Sequence, residues 1–330
     1  TRDSKPVPPY IDYLGWCTWD AFYHDVDADK VIRGLRSFEK TGVRPGFLIL
    51  DDGWGDANGL FLNDFRPDPA KFPDGLAPLV DRCRRDFGLR IFGIWHALEG
   101  YWTGVDPDGS LGRRFPVLPN RGRIRPWEGE NEEERQLSLV EPEHAARFFA
   151  EFHRDLAEAG VDMVKVDNQG ALEAFSSGHR GRGAAVRAYQ EALQNSACAR
   201  FGNNVIHCMS NGIDVAYNLF ASNGWRNSDD YLPGAPEERQ QWHVATNAYN
   251  NVWSSCFAIP DWDMFQTHGP AAEFHAAARA LSGGPVYVSD HPGKQNPEVL
   301  KRLATPGGRV FRPDRPALPR NRLAEGGVGR

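Results

Sequence analysis

Five cysteines in 330 residues (Cys17, Cys83, Cys198, Cys208 and Cys256) stand far apart, are odd in number and form no CxxC pair. Such spacing supports neither a zinc site nor a disulfide framework; reduced thiols and a cytoplasmic location are the plain expectation. No apolar run approaches a membrane span, and the opening residues TRDSKPVPPY hold no signal-peptide core. The chain begins without methionine, which reads as a processed product or a piece of something longer. Excess positive charge is missing too. The net charge of −6 argues against nucleic acid or an anionic membrane as partner. No GxGxxG follows an early strand and no GxxxxGK[ST] occurs, which disfavours a nucleotide site. HxH and HExxH spacings are also absent, so neither metal nor cofactor is expected.

What the chain does have is alternation. Short apolar runs at 46–50 (GFLIL), 89–95 (LRIFGIW) and 161–166 (VDMVKV) read as buried strands, and weaker candidates lie at 13–17, 205–208, 224–225, 256–259 and 285–288. Amphipathic stretches at 29–40, 77–87, 142–159, 184–200, 237–250, 269–281 and 297–303 read as helices, with 212–219 as a short one. The first has Asp27 or Asp29 as its N-cap and Gly42 just past its end. About eight βα units result, the number that a closed (β/α)8 TIM barrel needs; a doubly wound open sheet would also alternate. The barrel is expected over 1–304. A long insertion follows the third strand at about 96–141, with an acidic run at 128–134, and a Gly/Pro/Arg-rich tail covers 305–330.

Carboxylates and tryptophans gather at the strand ends: Trp16-Cys17-Thr18-Trp19-Asp20, Asp51-Asp52-Gly53-Trp54, Trp95-His96, Lys165-Val166-Asp167-Asn168-Gln169, Arg226-Asn227-Ser228-Asp229-Asp230, Asp261-Trp262-Asp263 and Ser289-Asp290. In a β/α barrel these ends share one face, where active sites are built. A single Asp there is a helix or turn cap. A whole set beside tryptophans points to sugar chemistry, since glycoside cleavage needs two carboxylates, hydroxyl acceptors and an apolar wall. Lys165, two residues from Asp167, is placed to lower the pKa of that carboxyl. An Asp-Asp pair, Asp229-Asp230, offers the like charge that keeps an acid protonated. Cys17 and Cys208 read as small buried hydrophobes and His96 as a hydrogen-bonded strand-end residue, while Trp102 and Trp225 fit packing and sugar platform equally.

At these residues the chain resembles glycoside hydrolase family 36, in the branch of raffinose synthases, alkaline α-galactosidases and seed imbibition proteins. The matching stretches are GWCTWDAFY (15–23), LDDGW (50–54), GIWHALEGYW (93–102), KVDNQ (165–169), RNSDDY (226–231), PDWDMFQ (260–266) and GGPVYVSD (283–290). The resemblance implies a retaining mechanism with Asp167 as nucleophile and Asp230 as acid/base, Asp229 being the second choice. It implies that Asp51 and Asp52 accept bonds from the galactose hydroxyls, with Asp263 among the sugar contacts. Lys165 and Arg226 would touch the sugar or orient the carboxylates, and Trp16, Trp54, Trp95 and Trp262 would wall the pocket. The expected partner is an α-galactoside oligosaccharide, and the expected activity is hydrolysis of raffinose-type α-galactosides. The alternatives are a galactosyltransferase passing galactose to sucrose and a catalytically silent carbohydrate-binding barrel. Family members carry β-sandwich domains on both sides of the barrel, so the tail at 305–330 reads as a remnant of a linker to one.

Overall fold

A computed structural model describes residues 1–124, 134–179 and 181–319. Eight parallel strands form one curled sheet: β1 (Leu14–Cys17), β2 (Phe47–Leu50), β5 (Ile91–Ala97), β8 (Met163–Asp167), β9 (Val205–His207), β10 (Gly224–Arg226), β11 (Ile259–Asp261) and β12 (Val286–Val288). The ladder runs β11-β10-β9-β8-β5-β2-β1-β12. Its two ends meet through one parallel bridge, Phe265 to Val288. The fold is the expected (β/α)8 TIM barrel. Two antiparallel hairpins are added at the carboxyl ends of the strands: β3 (Gly55–Asn58) with β4 (Phe61–Pro67), and β6 (Val117–Gly122) with β7 (Arg135–Val140). The second lies in the long insertion; of its acidic run, all but Glu134 falls outside the described residues.

Helices α1 (Trp19–Phe22), α2 (Ala28–Phe38), α3 (Ala77–Phe87), α4 (Ala145–Glu158), α5 (Leu172–Ser176), α6 (Arg182–Phe201), α7 (Ile213–Tyr217), α8 (Glu237–Ser254), α9 (Ala272–Ser282) and α10 (Pro297–Leu303) follow the strands. Asp27 caps α2 by accepting from the Lys30 N–H at 2.7 Å, and Gly42 takes the left-handed conformation after it. Among the described residues no helix is long and apolar enough to cross a membrane.

The period of two along a strand decides which residues face the barrel axis. Cys17, Phe47, Ile49, Ile91, Met163, Ile206, Ile259 and Tyr287 form one buried cluster with Tyr10 and Ile11. The alternate residues, Leu14, Trp16, Leu48, Leu50, Phe92, Ile94, Val164, Val166, Trp225, Val286 and Val288, join the large cluster shared with the helices. The first set is the barrel interior, closed at the amino ends of the strands by Tyr10, whose hydroxyl donates to the Val205 carbonyl at 3.0 Å. Gly15 belongs there because a Cβ would lie 2.1 Å from the Phe47 ring. Beyond the helices, the segment after α10 returns to the same end of the barrel, where Leu14 N–H donates to Gly308 and Val310 N–H to Asp12.

Candidate active site

Continuing the interior positions upward from the apolar floor gives Asp51 after β2, Trp95 in β5, Lys165 and Asp167 in β8, Arg226 in β10, and Asp261 and Asp263 around the end of β11. The chain therefore changes along each strand from hydrocarbon to charge, and the charges converge at the carboxyl-end mouth. The register agrees: Trp95 lies beside Lys165, Ala97 beside Asp167, and Arg226 beside Asp261.

Charge at this depth is stable only where it is paired. Lys165 is 3% exposed, and its ammonium donates to Asp51 Oδ2 at 2.7 Å. Its partner is thus Asp51 rather than Asp167. Cys17 Sγ donates to the same oxygen at 3.1 Å, and burial pushes its thiol pKa well up, as it does for Cys208. Both are buried small side chains. Asp167 is held on each oxygen: the Trp95 indole N–H donates to Oδ2 at 3.0 Å and the Asn168 backbone N–H to Oδ1 at 2.7 Å. Asn168 reaches this position in a left-handed conformation, φ 61°. Its amide donates onward to Glu99 Oε2 at 3.2 Å. Glu99 is buried, and that burial raises its pKa well above the carboxylate range.

Arg226, 1% exposed, is the hub of the opposite wall. Nη1 donates to Asp230 Oδ1 at 2.9 Å, Nε donates to Asp261 Oδ2 at 3.3 Å, and Nη2 pairs with Asp263 Oδ1 at 2.7 Å. The Tyr287 hydroxyl donates to Asp261 at 2.9 Å, and the Tyr231 N–H donates to Asp263 Oδ2 at 2.7 Å. Burial works against the Asp263 anion, but Arg226 and Lys165 outweigh it and hold its pKa below the usual value; at Asp261 burial wins and the pKa is raised.

Asp230 differs from both. Half of its side chain (49%) is open to the cleft, while the surrounding loops crowd it. That crowding raises its pKa to about 6 against the pull of Arg226, and the charges of Asp263 and Asp167 add to the rise. Asp229 is exposed and its Oδ1 accepts the Asp230 backbone N–H at 2.8 Å. Of the two it is Asp230 that Arg226 holds. Asp52 receives the Trp102 indole N–H at 2.7 Å and His24 Nε2 at 3.0 Å, a contact that raises the His24 pKa.

The tryptophans fall out differently from expectation. Trp16 is fully buried on the outward face of β1 against Phe22 and Phe38, so it is a core residue and not a sugar wall. Trp262 sits one residue out of phase with Asp261 and Asp263, and its indole donates to Asn251 of α8 at 3.0 Å, behind the site. Trp54 is 3% exposed, joins the outer cluster and donates to the Trp95 carbonyl at 2.7 Å. It braces the strand that carries Trp95. Trp225 also faces outward, against Phe257. Partly open aromatic surface comes instead from Trp102, tilted over Trp95 with ring centroids 5.3 Å apart, and from Trp19, which packs on the barrel-interior cluster.

Asp20 belongs to the same mouth. Ser289 donates to its Oδ2 at 2.5 Å, and burial pushes its pKa up to about 8, with Asp263 and Asp51 adding to the rise. Asp20 and Ser289 both follow strand ends in the sequence, yet nothing in the spacing links a residue of α1 to one after β12. His96, facing outward, meets His153 at 3.2 Å and is held neutral by burial, with its pKa at about 4.

A family model described as raffinose synthase or seed imbibition protein Sip1 matches residues 1–60 and 61–326. A probable galactinol–sucrose galactosyltransferase 6 of Arabidopsis thaliana is 38% identical over 344 residues, 96% of this chain and 46% of that protein. The galactinol–sucrose galactosyltransferase of Pisum sativum is 34% identical over 366 residues, 97% of this chain and 46% of that one. The chain spans about half the length of these curated relatives. Among solved structures, an alpha-galactosidase from Thermus thermophilus in complex with p-nitrophenyl alpha-D-galactopyranoside superposes with a TM-score of 0.65 at 24% identity, covering 90% of this chain and 62% of that one. That likeness is one of fold.

Proposed function

Because the chain belongs to the raffinose synthase and seed imbibition protein family, we propose that it cleaves terminal α-galactosides with retention, through a covalent galactosyl intermediate on Asp167. The observation that carries this reading is the contrast between the two carboxyls. Asp167 is fixed on both oxygens by N–H donors, and Asp230 is an accessible acid with its pKa at about 6. An oxygen of Asp167 attacks the anomeric carbon as Asp230 passes its proton to the leaving glycosidic oxygen. Asp230, now a carboxylate, takes a proton from the incoming hydroxyl, whose oxygen displaces Asp167 and restores the α configuration. Asp51, Asp52, Lys165 and Asp263 accept from or donate to the sugar hydroxyls, and Trp102 and Trp19 supply the apolar wall.

Release of nitrophenol from an aryl α-galactoside by the purified chain tests the activity. Asp167→Gly with azide tests the role: the expected product is β-galactosyl azide. If that inverted azide came from an Asp230 variant instead, the two roles would be exchanged.

The incoming hydroxyl belongs to water in a hydrolase and to a sugar in a transferase. Transfer is the second reading, supported by relatives that match nearly the whole chain and bear galactinol–sucrose galactosyltransferase names. Products from raffinose alone, set against those from galactinol plus sucrose, decide between them.

A further inference from the structure

Asp263 reaches the barrel mouth against the preference of its backbone. β11 ends at Asp261, and Asp263 takes φ 67°, a left-handed conformation that a residue with a side chain rarely adopts and that persists only where the surroundings impose it. Its carboxylate is gripped from the front by Arg226, the Tyr231 N–H and the Tyr287 hydroxyl. What imposes the turn lies behind it. Arg279 of α9, 1% exposed and outside the carboxylate cluster, donates to three successive carbonyls of this segment: Nη2 to Trp262 at 2.8 Å and to Met264 at 3.2 Å, and Nε to Asp263 at 3.2 Å. Its other arm, Nη1, lies 2.6 Å from His275 Nδ1. Arginine can only donate, so Nδ1 accepts, and the proton of that imidazole sits on Nε2, which donates to Gln240 Oε1 at 2.6 Å.

Gln240, on α8, donates in turn to the carbonyls of Leu232 and Ala235 at 3.0 and 3.3 Å, in the connection that carries Asp230. A buried network thus ties the segment bearing Asp263 to the segment bearing Asp230, on the side away from the mouth. Burial and the charge of Arg279 keep His275 and the adjacent His243 neutral, with pKa values lowered to about 2 and about 3. Burying a guanidinium against neutral lone pairs costs stability. An apolar side chain would fill the space without that cost but would leave the three carbonyls ungathered. We propose that Arg279 is a positioning residue of the acid/base machinery: by gathering the carbonyls of Trp262, Asp263 and Met264 it holds Asp263 on Arg226, and so divides Arg226 between Asp263 and Asp230. The proposal rests on the acid/base role given to Asp230 and adds a residue that acts on it only through Asp263.

The sign of one shift tests it. Asp230 is faced by Arg226, Asp263, Asp167, Lys165 and Cys208, with Asp229 beside it in the chain. Without Arg279 the turn relaxes and Asp263 withdraws; Asp230 then loses a like charge and gains a larger share of Arg226, so its pKa falls. Arg279 acting directly as a charge would do the opposite, since loss of a cation raises the pKa of an acid. In Arg279→Met the alkaline limb of kcat/KM for an aryl α-galactoside is expected about one pH unit below that of the parent. In Arg279→Lys, whose single ammonium does not span the partners of the fork, it should fall by a smaller step. Asp263→Asn should lower the limb as well, and adding Arg279→Met to it should move the limb no further, because the two act in series. A limb unmoved or raised in Arg279→Met overturns the proposal, even with a lowered Tm, and so do additive shifts in the double variant. If Arg279→Met does not fold, Arg279→Lys decides by the same sign. Should the parent chain fail to turn over the galactoside, the catalytic reading falls, and carbon-13 NMR of the aspartate carboxyls, with Asp230 assigned by its loss in Asp230→Asn, reads the same shift without substrate.

Discussion

Replacing Arg226 is expected to damage stability and catalysis in a correlated way. Its guanidinium contacts Asp230, Asp261 and Asp263 at 2.9, 3.3 and 2.7 Å, and both Asp261 and Asp263 are completely buried. Arg226→Met leaves those two without their shared cation, and breaking a buried pair in this way costs about 3–5 kcal/mol. Against the ~5–15 kcal/mol that holds an ordinary domain together, such a loss is a large share of the stability. Arg226→Lys is the informative variant. It keeps the charge but offers one ammonium in place of a planar fork, so at least one charge-assisted hydrogen bond goes, worth about 1.5–3 kcal/mol. Urea denaturation reads that loss as a lower midpoint at unchanged slope. The second readout is the pH–rate profile. Asp230 must start protonated, so kcat/KM falls as pH rises through its pKa of about 6. Arg226 pulls that pKa down; weakening the contact raises it and moves the alkaline limb to higher pH. A lysine variant within ~0.5 kcal/mol of the parent, or an alkaline limb that moves to lower pH, would refute the reasoning.

Asp20 makes a pH-dependent contribution of the opposite kind to a salt bridge. Its folded pKa of about 8 lies above the ordinary 3.8, so from about pH 4 to 8 the unfolded chain has lost a proton that the folded chain still holds, and stability declines as pH rises across that window. Asp20→Asn, facing the same Asp51, Asp263, Lys165 and Ser289, should therefore gain in Tm relative to the parent between pH 4 and pH 8; a constant difference would contradict the assignment. Trp16→Ala should lose about 3–5 kcal/mol in thermal or urea unfolding, with KM for an aryl α-galactoside within twofold of the parent. Trp102→Phe should differ in KM: it deletes a donor to the buried Asp52, so KM rises roughly tenfold or more and stability falls by about 1.5–3 kcal/mol, as the loss of one charge-assisted hydrogen bond predicts. If Trp16→Ala raised KM and Trp102→Phe did not, the facing of the two rings would be wrong.

Much of the barrel was legible because buried parallel strands are written as apolar runs, as in residues 46–50. The short strands were harder. The last-but-one was expected at 256–259 and lies at Ile259–Asp261, because Cys256 and Phe257 still turn off the end of α8 and donate back to it. The hairpin β3–β4 was missed although its Asn58-Gly59 turn is a strong local signal; β3 is polar and unburied, and the two buried residues of β4, Leu62 and Phe65, stand three apart and break strand alternation. At the site, Asp51, Lys165, Asp167, Arg226, Asp261 and Asp263 share the parity of the apolar interior below them, and their convergence was readable. Trp16, expected as a sugar wall, is buried for a physical reason: it takes the outward parity of β1. Two-residue parity ends with β1 at Cys17, and Trp19 lies on a helical turn that swings it over the barrel mouth. Contacts such as Asp20 with Ser289 bridge 269 positions, a separation no local pattern encodes.

The closure of the barrel has a dynamic consequence. Seven of the eight strand junctions are ladders, and the eighth is a clasp in which Ser289 N–H donates to Phe265 O at 2.9 Å beside the Phe265–Val288 bridge. In hydrogen-exchange terms the sheet is a ribbon with one weak fastening, and amides along β11 and β12 should exchange ahead of those in β5 and β8. The clasp lies between Asp263, which Arg226 grips, and Ser289, which grips Asp20. A sugar that spans those two carboxyls would splint the seam, so occupancy of the mouth should be visible as slower exchange in two strands whose backbone it never touches.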